Sequence, residues 1–324
     1  MEITLQSICT HSLEIFHRLR WGLSGVCCPR CGSIHIYNPE PGKTHICADC
    51  EYNFSDTSGT IFHSTKLPLS KWLYCIYLFC SSSRGISSYN LARSINVSQP
   101  TAWRMLMLIR SHLNQDLSLT SDEIIMDEIW VGADWKKMPF KNKLKKAKEL
   151  GFKIPERRGL DKHSTLIFKG ALRQTLKRAS NADKVCVVGL LQKLANNKRS
   201  LSLYPFIYAQ DRSLKISQFI AQIREVCNER SIHLTSDDSS LYDLFNNHSV
   251  NNHSKGQYIS DDGYSSNPLE GAFSHLRKMW KGIYTWWSDK FFLSYCNEYC
   301  WRFNNSSLSL KSRMESVFSS LAFS

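Results

Sequence analysis

The sequence predicts an α/β domain preceded by two small modules, and three patterns support this prediction. Two Cys-x2-Cys pairs lie between residues 28 and 50, a helix, turn and helix pattern follows over 86–110, and strand and helix patterns are mixed after Ser121. Such mixing is typical of a sheet covered by helices. The predicted segments are an N-terminal helical segment over 1–24, modules over 25–65 and 66–118, the α/β domain over 121–306 and a C-terminal tail over 307–324.

Four of the twelve cysteines form the two pairs, with 15 residues between the pairs. They are Cys28, Cys31, Cys47 and Cys50. Two such turns can present four thiolates tetrahedrally to one structural zinc ion, so the sequence predicts a zinc ribbon over 25–65. Free or disulfide-bonded cysteines are the alternative. Three nearby histidines are interpreted as incidental to this site: His35, His45 and His63.

A helix-turn-helix is predicted over 66–118. After Pro68 the apolar residues recur with a helical period through Cys80, a short helix is predicted over 86–95, and Ser98 can cap a further helix that reaches Arg110. This arrangement places a recognition helix in the major groove of DNA. The residues expected to be exposed to bases are Gln99, Thr101 and Arg104. A helical packing unit without DNA binding is the alternative.

The formal charge of +13 predicts a polyanionic partner. Residues 136–184 hold 16 Lys or Arg against 4 Asp or Glu, a net charge of +12. This basic insertion, whose first half is not expected to be core, is either a nucleic-acid-binding segment or a solvated loop. The longest apolar run, Trp72–Cys80, is about half of the ~20 residues that cross a membrane. We therefore expect a cytoplasmic, nucleoid-associated protein without a membrane partner.

The strand and helix order after Ser121 matches an RNase H-like α/β fold. Strands are predicted over 123–132, 184–191, about 201–209 and 232–236, with helices over about 214–229 and from Pro268 onward. In that fold the first strand, the end of a neighbouring strand and a later helix converge. Asp127, Asp237 and Glu270 occupy these three positions, and Asn267 is the predicted helix cap.

Three convergent carboxylates repel one another, and a divalent cation neutralises that repulsion. Two Mg²⁺ or Mn²⁺ ions at such a site assist displacement at phosphorus, so the prediction is metal-dependent phosphodiester cleavage and joining. Each acid also has an ordinary interpretation. Asp127 could be a surface residue of a strand, Asp237 a turn residue and Glu270 a helix charge.

Linked motifs from Cys28 to about Asn304 resemble the insertion-sequence transposases related to Merlin elements, the ISXO-like group. In the first half the motifs are Ser58–His63, Lys66–Trp72, Gly85–Ser87, Thr101–Arg104 and Ile109–Arg110. In the second half they are Met126–Gly132, Thr235–Asp237 with Tyr242, His248–Ser254, Asn267–Gly271 and Glu298–Asn304.

The resemblance implies a DDE-type transposase that binds the terminal inverted repeats of its element and joins the cut ends to target DNA, as a homo-oligomer on double-stranded DNA. Asp127 and Asp237 would be metal ligands, with Asp237 preferred to Asp238 because it lies five residues before Tyr242. Glu270 is the preferred third ligand and Asn267 the alternative. Three basic residues would contact DNA: Arg277, which stands where the family has lysine, Lys278 and Lys281.

Two further sets of residues are interpreted with alternatives. His248 and His253 are expected to contact DNA or the active site from a loop rather than bind a second metal. Three tryptophans could stack on an unpaired base, with at least one in the core: Trp280, Trp286 and Trp287. Two other functions stay open, a non-catalytic DNA-binding regulator and an RNase H-like nuclease without strand transfer.

Overall fold

The structure is a computed structural model that describes residues 3–22, 24–115, 118–132, 135, 137–156, 162–207, 211–237, 242–251, 259, 263–285 and 287–322, apart from the side chains of Asn181, Asn196, Asp237 and Ala322. The chain divides into two compact units. Unit 1 contains Met1–Asp116, Lys278–Trp287 and Ser294–Ser324, and unit 2 contains Leu117–Arg277 and Ser288–Leu293. Within the described ranges, no helix has both the length and the apolar composition needed to cross a membrane.

Unit 1 is built mainly from helices. They are α1 (Leu5–Thr10), α2 (Ser12–Trp21), α3 (Leu69–Ser81), α4 (Ser88–Ile95), α5 (Gln99–His112), most of α10 (Phe292–Asn304) and α11 (Leu310–Ala322). A small antiparallel sheet has the order β1 (Ile36–Tyr37), β2 (His45–Cys47) and β3 (Asn53–Phe54). In the helical core, the rings of Phe16, Phe62 and Phe318 have centroids 4.9 to 5.5 Å apart.

The C-terminal segment differs from its prediction. Residues 307–324, predicted as a tail, contain α11, whose buried side chains recur at i, i+3, i+4 and i+7. These side chains are Met314, Val317, Phe318 and Leu321. Because this spacing puts all four on one face of a helix, the segment carries a helical signal that its many serines obscure. The chain from Ser294 onward also belongs to unit 1, so the predicted domain end at 306 is not where the units divide.

Helices α4 and α5 occupy the predicted helix-turn-helix positions. Ser87 Oγ accepts the N–H of Asn90 at 3.2 Å and begins α4, which ends at Asn96 in the left-handed conformation (φ 51°). Ser98 Oγ then accepts the N–H of Thr101 at 3.3 Å and begins α5. Both helix starts therefore follow from serine side chains that satisfy a backbone donor of the first turn.

A buried ion cluster joins α5 to α10 within unit 1. Glu298 accepts hydrogen bonds from Arg110 Nε at 2.6 Å, Arg302 Nη2 at 2.7 Å and Tyr284 Oη at 2.7 Å. Burial acts to raise the pKa of Glu298, but the two guanidinium groups outweigh it and hold that pKa below the usual 4.5. A Cβ at Gly85 (φ +95°) would lie 2.2 Å from Tyr284 Oη, so glycine is required beside this cluster.

Unit 2 contains a five-stranded mixed sheet. Its order is β6 (Arg199–Phe206), β5 (Lys184–Lys193), β4 (Glu123–Gly132), β7 (His233–Asp237) and β8 (His248–Asn251). Strands β4, β5 and β6 form an antiparallel meander, whereas β7 is parallel to both β4 and β8. Unit 2 also contains α6 (Phe140–Glu149), α7 (Lys162–Ala182), α8 (Arg212–Glu229) and α9 (Asn267–Met279), except for the last two residues of α9.

Alternation along β4 assigns its side chains to two faces of the sheet. Ile124 and Met126 share a hydrophobic cluster with Ile216, Ile220 and Ile223 of α8, which covers one face. Ile125 and Asp127 therefore belong to the opposite face. Strand β5 is buried along eight consecutive residues, as expected for a strand covered on both faces.

The basic insertion between β4 and β5 is a pair of helices rather than a loop. Helices α6 and α7 enclose their own small core, in which Trp135, Ala147 and Ala179 are buried. Asp183 accepts a hydrogen bond from Trp135 Nε1 at 2.7 Å and pairs with Lys146 at 2.6 Å. Ala147 lies in the half of the insertion expected to be outside any core, so that expectation fails at this position.

Candidate active site and metal centre

Asp127 lies in the middle of β4 and is half-buried. Its Oδ1 accepts the N–H of Glu128 at 2.7 Å, which orients the carboxylate. Its partner across the antiparallel pair is Gly189 on β5. Because directly opposed residues project from the same face of a sheet, the hydrogen of Gly189 leaves space beside the Asp127 side chain.

Helix α9 fills the space above Gly189. A Cβ built on Gly189 would lie 2.6 Å from Phe273 Cζ and 3.1 Å from Leu269 Cδ1. Leu269 and Phe273 are one turn apart on α9, and both are buried. The structure therefore places the first turn of α9, which carries Glu270, on the same sheet face as Asp127.

The helix begins one residue earlier than predicted. Asn267 is the first residue of α9 rather than its cap, and the carbonyl of Ser266 accepts the N–H groups of Leu269 at 3.0 Å and Glu270 at 3.3 Å. Pro268 stands in the first turn, as expected, where its missing N–H costs little. Both candidate third ligands, Asn267 and Glu270, are exposed.

Asp237 is the last residue of β7. Thr235 pairs with Ile125 in the parallel β4–β7 ladder. The paired residues of this ladder end there, and the same register continued by two residues would set Asp237 opposite Asp127. The side chain of Asp237 and the whole of Asp238 lie outside the described residues.

Strand β8, which no pattern in the sequence predicted, adds a buried amide beside the last residue of β7. Asn251 pairs with Asp237 and is fully buried, and among the described residues neither its Nδ2 nor its Oδ1 has a hydrogen-bond partner. The hydroxyl of fully buried Thr235 also has none. Burying such groups unsatisfied costs about 1–3 kcal/mol each. Strand β8 is hard to predict from the sequence, because it is only four residues long and lies in a segment rich in asparagine and serine, which favour turns.

His248 lies on β8, not in a loop, which corrects its predicted setting. Its Nε2 lies 2.8 Å from Ser236 Oγ, and burial is the largest cause of a pKa below the usual 6.5. His253 lies outside the described residues. Among the described side chains, His248 belongs to no group of three possible metal ligands.

The predicted DNA-contacting residues of α9 and the segment after it are exposed: Arg277, Lys278 and Lys281. Arg277 follows Glu270 by seven residues, two helical turns along the same side. Two tryptophans predicted as candidates for base stacking are core residues instead. Trp280 is buried, and Trp287 is buried and stacked on Tyr295 at 4.8 Å. Trp286 lies outside the described residues.

The predicted readers on α5 differ in accessibility. Arg104 is exposed, whereas Gln99 and Thr101 are partly buried. Gln99 Nε2 donates to Ser88 Oγ at 2.8 Å, and Thr101 Oγ1 lies 2.8 Å from Ser98 Oγ. Their side chains therefore stabilise the turn between α4 and α5, and Arg104 is the most accessible of the three.

The four predicted zinc ligands converge in unit 1. Their Sγ atoms all lie within 4.8 Å of one another, with Cys28–Cys50 and Cys31–Cys47 separations of 3.6 Å. Four sulfurs at ~2.3 Å from one tetrahedral Zn²⁺ are about 3.8 Å apart, so the spacing fits the ion. Burial acts to raise the pKa of Cys47, but backbone N–H groups of Cys50 and Asp49 lower it to about 7.

A second polar cluster lies beside the ribbon and accounts for the burial of the His45 ring. This fully buried ring lies 2.6 Å from the carbonyl of Asn38 through Nδ1 and 2.9 Å from Asp56 Oδ1 through Nε2. Trp21 Nε1 and the His17 ring contact the same carboxylate at 2.7 and 2.9 Å. His45 is therefore a structural residue that connects the ribbon to α2, beyond the incidental role predicted for it.

Comparisons with known proteins agree with the resemblance found in the sequence. Residues 160–304 match the ISXO2-like transposase domain family. A protein of Halobacterium salinarum, described as an uncharacterized protein in transposable element ISH50, is 27% identical over 131 residues, which are 38% of this chain and 42% of that protein. The match thus spans less than half the length of that relative. No solved structure matches the chain. The predicted resemblance to an insertion-sequence transposase is confirmed.

Proposed function

We propose that this protein is a DNA transposase whose active site lies where β4, β7 and α9 meet. The observation that carries the proposal is the packing of α9 over Gly189, which brings the helix of Glu270 to the face of Asp127. Asp127 and Asp237 are the proposed metal ligands, Glu270 is the third and Asn267 the alternative. The match to a transposase domain family supports the same function.

The sheet supports an RNase H-like architecture for the proposed catalytic domain. Three antiparallel strands are followed by two strands parallel to the first, in the order β6-β5-β4-β7-β8. In this architecture the central strand, β4, carries the first acid at its middle. The position of Asp127 between Gly189 on one side and the β7 register on the other agrees with that arrangement.

Oxygen donors on one sheet face fit magnesium or manganese, which prefer carboxylate and amide oxygens to thiols. Two such ions, when bound, would polarise the phosphate and stabilise the attacking and leaving oxygens. The chain's own contribution is to hold Asp127 through the Glu128 N–H and to fix α9 through Leu269 and Phe273. Arg277, two turns beyond Glu270, would bind a substrate phosphate through a bidentate fork.

Asn251 is proposed to belong to the same site. Its buried amide, paired in register with Asp237, offers one acceptor and two donors that no group in the described part of the chain satisfies. In the assembled site these would orient Asp237 or bind a water or phosphate oxygen. The amide is therefore a proposed positioning group rather than a ligand.

Double-stranded DNA is the proposed partner, as the terminal repeats of the element and as the target. Arg104 on α5 is the proposed reader in the helix-turn-helix, and the zinc ribbon is a proposed structural module with one Zn²⁺. Because a transposition event cuts two element ends, we propose that the protein acts as a homo-oligomer on DNA.

The substrate is an end-labelled DNA that carries the inverted repeats flanking the coding region. A plasmid is the target DNA. Asp127→Asn and Asp237→Asn should abolish Mg²⁺- or Mn²⁺-dependent cleavage and strand transfer while DNA binding persists. Glu270→Gln and Asn267→Ala compared side by side identify the third ligand. Glu225→Gln, an exposed acid on α8 across the sheet, is the matched control and should cut normally.

The outcomes separate the possible functions. Labelled ends joined covalently to plasmid support the transposase. Cleavage without joining would indicate a nuclease, and tight salt-sensitive binding without cleavage under either metal would indicate a regulator. Normal cutting by Asp127→Asn would refute the proposed site.

A further inference from the structure

Helices α6 and α7 form an open groove on the basic insertion of unit 2. The groove has a volume of about 710 Å³. Its apolar lining residues are Trp135, Phe140, Phe168, Leu172 and Leu176. Its basic lining residues are Lys143, Lys169, Arg173 and Lys177. None of the described residues that line it is acidic, so any ligand meets apolar side chains and positive charge together.

The cations of α7 form a regular row. Lys169, Arg173 and Lys177 are spaced by four residues, lie along one side of the helix and are exposed. At 1.5 Å per residue the row is about 12 Å long. The neighbouring row, Phe168, Leu172 and Leu176, is the apolar wall. Helix α7 thus presents a positive edge and an apolar wall side by side.

The carboxylates in the described ranges of the insertion do not neutralise this row. Helices α6 and α7 hold five Lys and five Lys or Arg respectively, against one acid, Glu149. Glu149 pairs with Lys145, and Asp183 pairs with Lys146. Within the described part of the chain, the four groove cations form no ion pair. Their charge is available to an external anion.

The apolar wall indicates which class of anion the groove binds. Phe140 is 56% exposed. A ligand that covers this ring gains the free energy of burying its apolar surface. Duplex DNA would satisfy the cations but would keep its bases stacked inside, away from the two phenylalanines. A single strand can place phosphates on the positive edge and unpaired bases on the rings, the combination found in single-strand-binding grooves.

We propose that the α6–α7 groove binds single-stranded DNA, with Lys169, Arg173 and Lys177 on the phosphates and Phe140 and Phe168 on the bases. The groove volume of about 710 Å³ lies within the range of ~300–1,000 Å³ that is typical of organic ligand sites. The core of Trp135, Ala147 and Ala179 keeps the two helices together, so the groove exists without a ligand. In the proposed transposase, strands unpaired after cleavage would be its natural ligand.

The proposal is tested by equilibrium binding of the full chain to a labelled mixed-sequence strand of roughly 20 nucleotides, longer than the ~4–16 nucleotides that such modules cover. Phe140→Ala with Phe168→Ala should weaken binding by about tenfold or more without changing its salt dependence. Lys169→Gln, Arg173→Gln and Lys177→Gln together should lower the slope of log K against log salt by about 2, because each phosphate contact on a single strand contributes about 0.7.

Two controls isolate the groove. Lys198→Gln, Lys215→Gln and Arg224→Gln remove the same formal charge outside the insertion and should leave the slope nearly unchanged. Phe140→Tyr with Phe168→Tyr preserves the ring faces and should bind like the parent. The single Phe140→Ala variant, at an exposed position, serves if the double variant is unstable.

Unchanged single-strand affinity in the phenylalanine variants would overturn the proposal. A changed oligomeric state with unchanged DNA binding would also overturn it and would identify the groove as a protein interface. Because binding is measured without cleavage, failure here leaves the proposed transposase activity untouched. Failure of the cleavage experiment likewise leaves this result intact.

Discussion

Substitution of Gly189 by alanine tests the geometry of the proposed active site most directly. The added Cβ would lie 2.6 Å from Phe273 Cζ, 2.7 Å from Phe273 Cε1 and 3.1 Å from Leu269 Cδ1. The Phe273 ring is only 3% exposed, so it has little room to rotate away. Overpacking of this kind costs about 1–3 kcal/mol. For a unit of this size, that loss lowers the unfolding midpoint by about 2–12 °C.

The same substitution should reduce cleavage by more than its effect on stability. The helix must move outward to accommodate the Cβ, which displaces Glu270 from the face of Asp127. A misplacement of about 1 Å in a catalytic constellation can cost on the order of 100-fold in rate. Cleavage by the parent protein and by the Gly189→Ala variant is therefore measured at a temperature where both are fully folded.

A compensating substitution makes the test specific. Phe273→Leu removes the two ring carbons that would clash, so Gly189→Ala with Phe273→Leu should regain stability relative to the sum of the single effects, with a coupling of about 0.5–3 kcal/mol. Gly271→Ala, on the same helix with no atom within 4 Å of the new Cβ, should be neutral or stabilising. A stable Gly189→Ala protein with no coupling to Phe273 would refute the docking of α9 on this face.

Three other predictions follow from buried groups. Glu298→Gln should cost about 3–5 kcal/mol in urea unfolding, because Arg110 and Arg302 lose their counter-charge. Since the folded pKa of Glu298 lies below 4.5, its stabilisation is present above that pH and is lost as the pH falls further, a dependence that Glu298→Gln should lack. Cys47→Ser should lower bound zinc from one ion per chain, measured by elemental analysis, and unfold the ribbon. Asn251→Ala should lower the cleavage rate and raise the Mg²⁺ concentration needed, without loss of thermal stability; a destabilised protein with normal metal dependence would contradict the positioning role.

The elements that carry strong local signals were predictable from the sequence. Strand β4 has its predicted bounds, and α5 begins after the predicted cap Ser98. The four cysteines meet because paired turns of fixed spacing leave few other arrangements. The strand and the helix are each identified by a pattern within a few residues, and the cysteine site by a fixed spacing within residues 28–50, so no tertiary information is needed.

The features that were not predicted depend on partners that no local sequence pattern specifies. Strand β8 is four residues long, and only its pairing with β7 makes it a strand. His45 appears incidental until Asp56 and Trp21 are placed beside it. The sequence allows Trp287 to stack either on a nucleic-acid base or on a protein ring such as Tyr295, because aromatic side chains do both.

Gly189 is a residue in the sequence that reflects a long-range contact, the packing of α9 against β5. No local rule favours glycine in the centre of a buried strand, where it weakens β structure. Its presence opposite Asp127 becomes understandable once α9 is known to press against that point. The glycine therefore records the close approach of a helix about eighty residues later in the chain, and the proposed catalytic site depends on that approach more than on any single carboxylate.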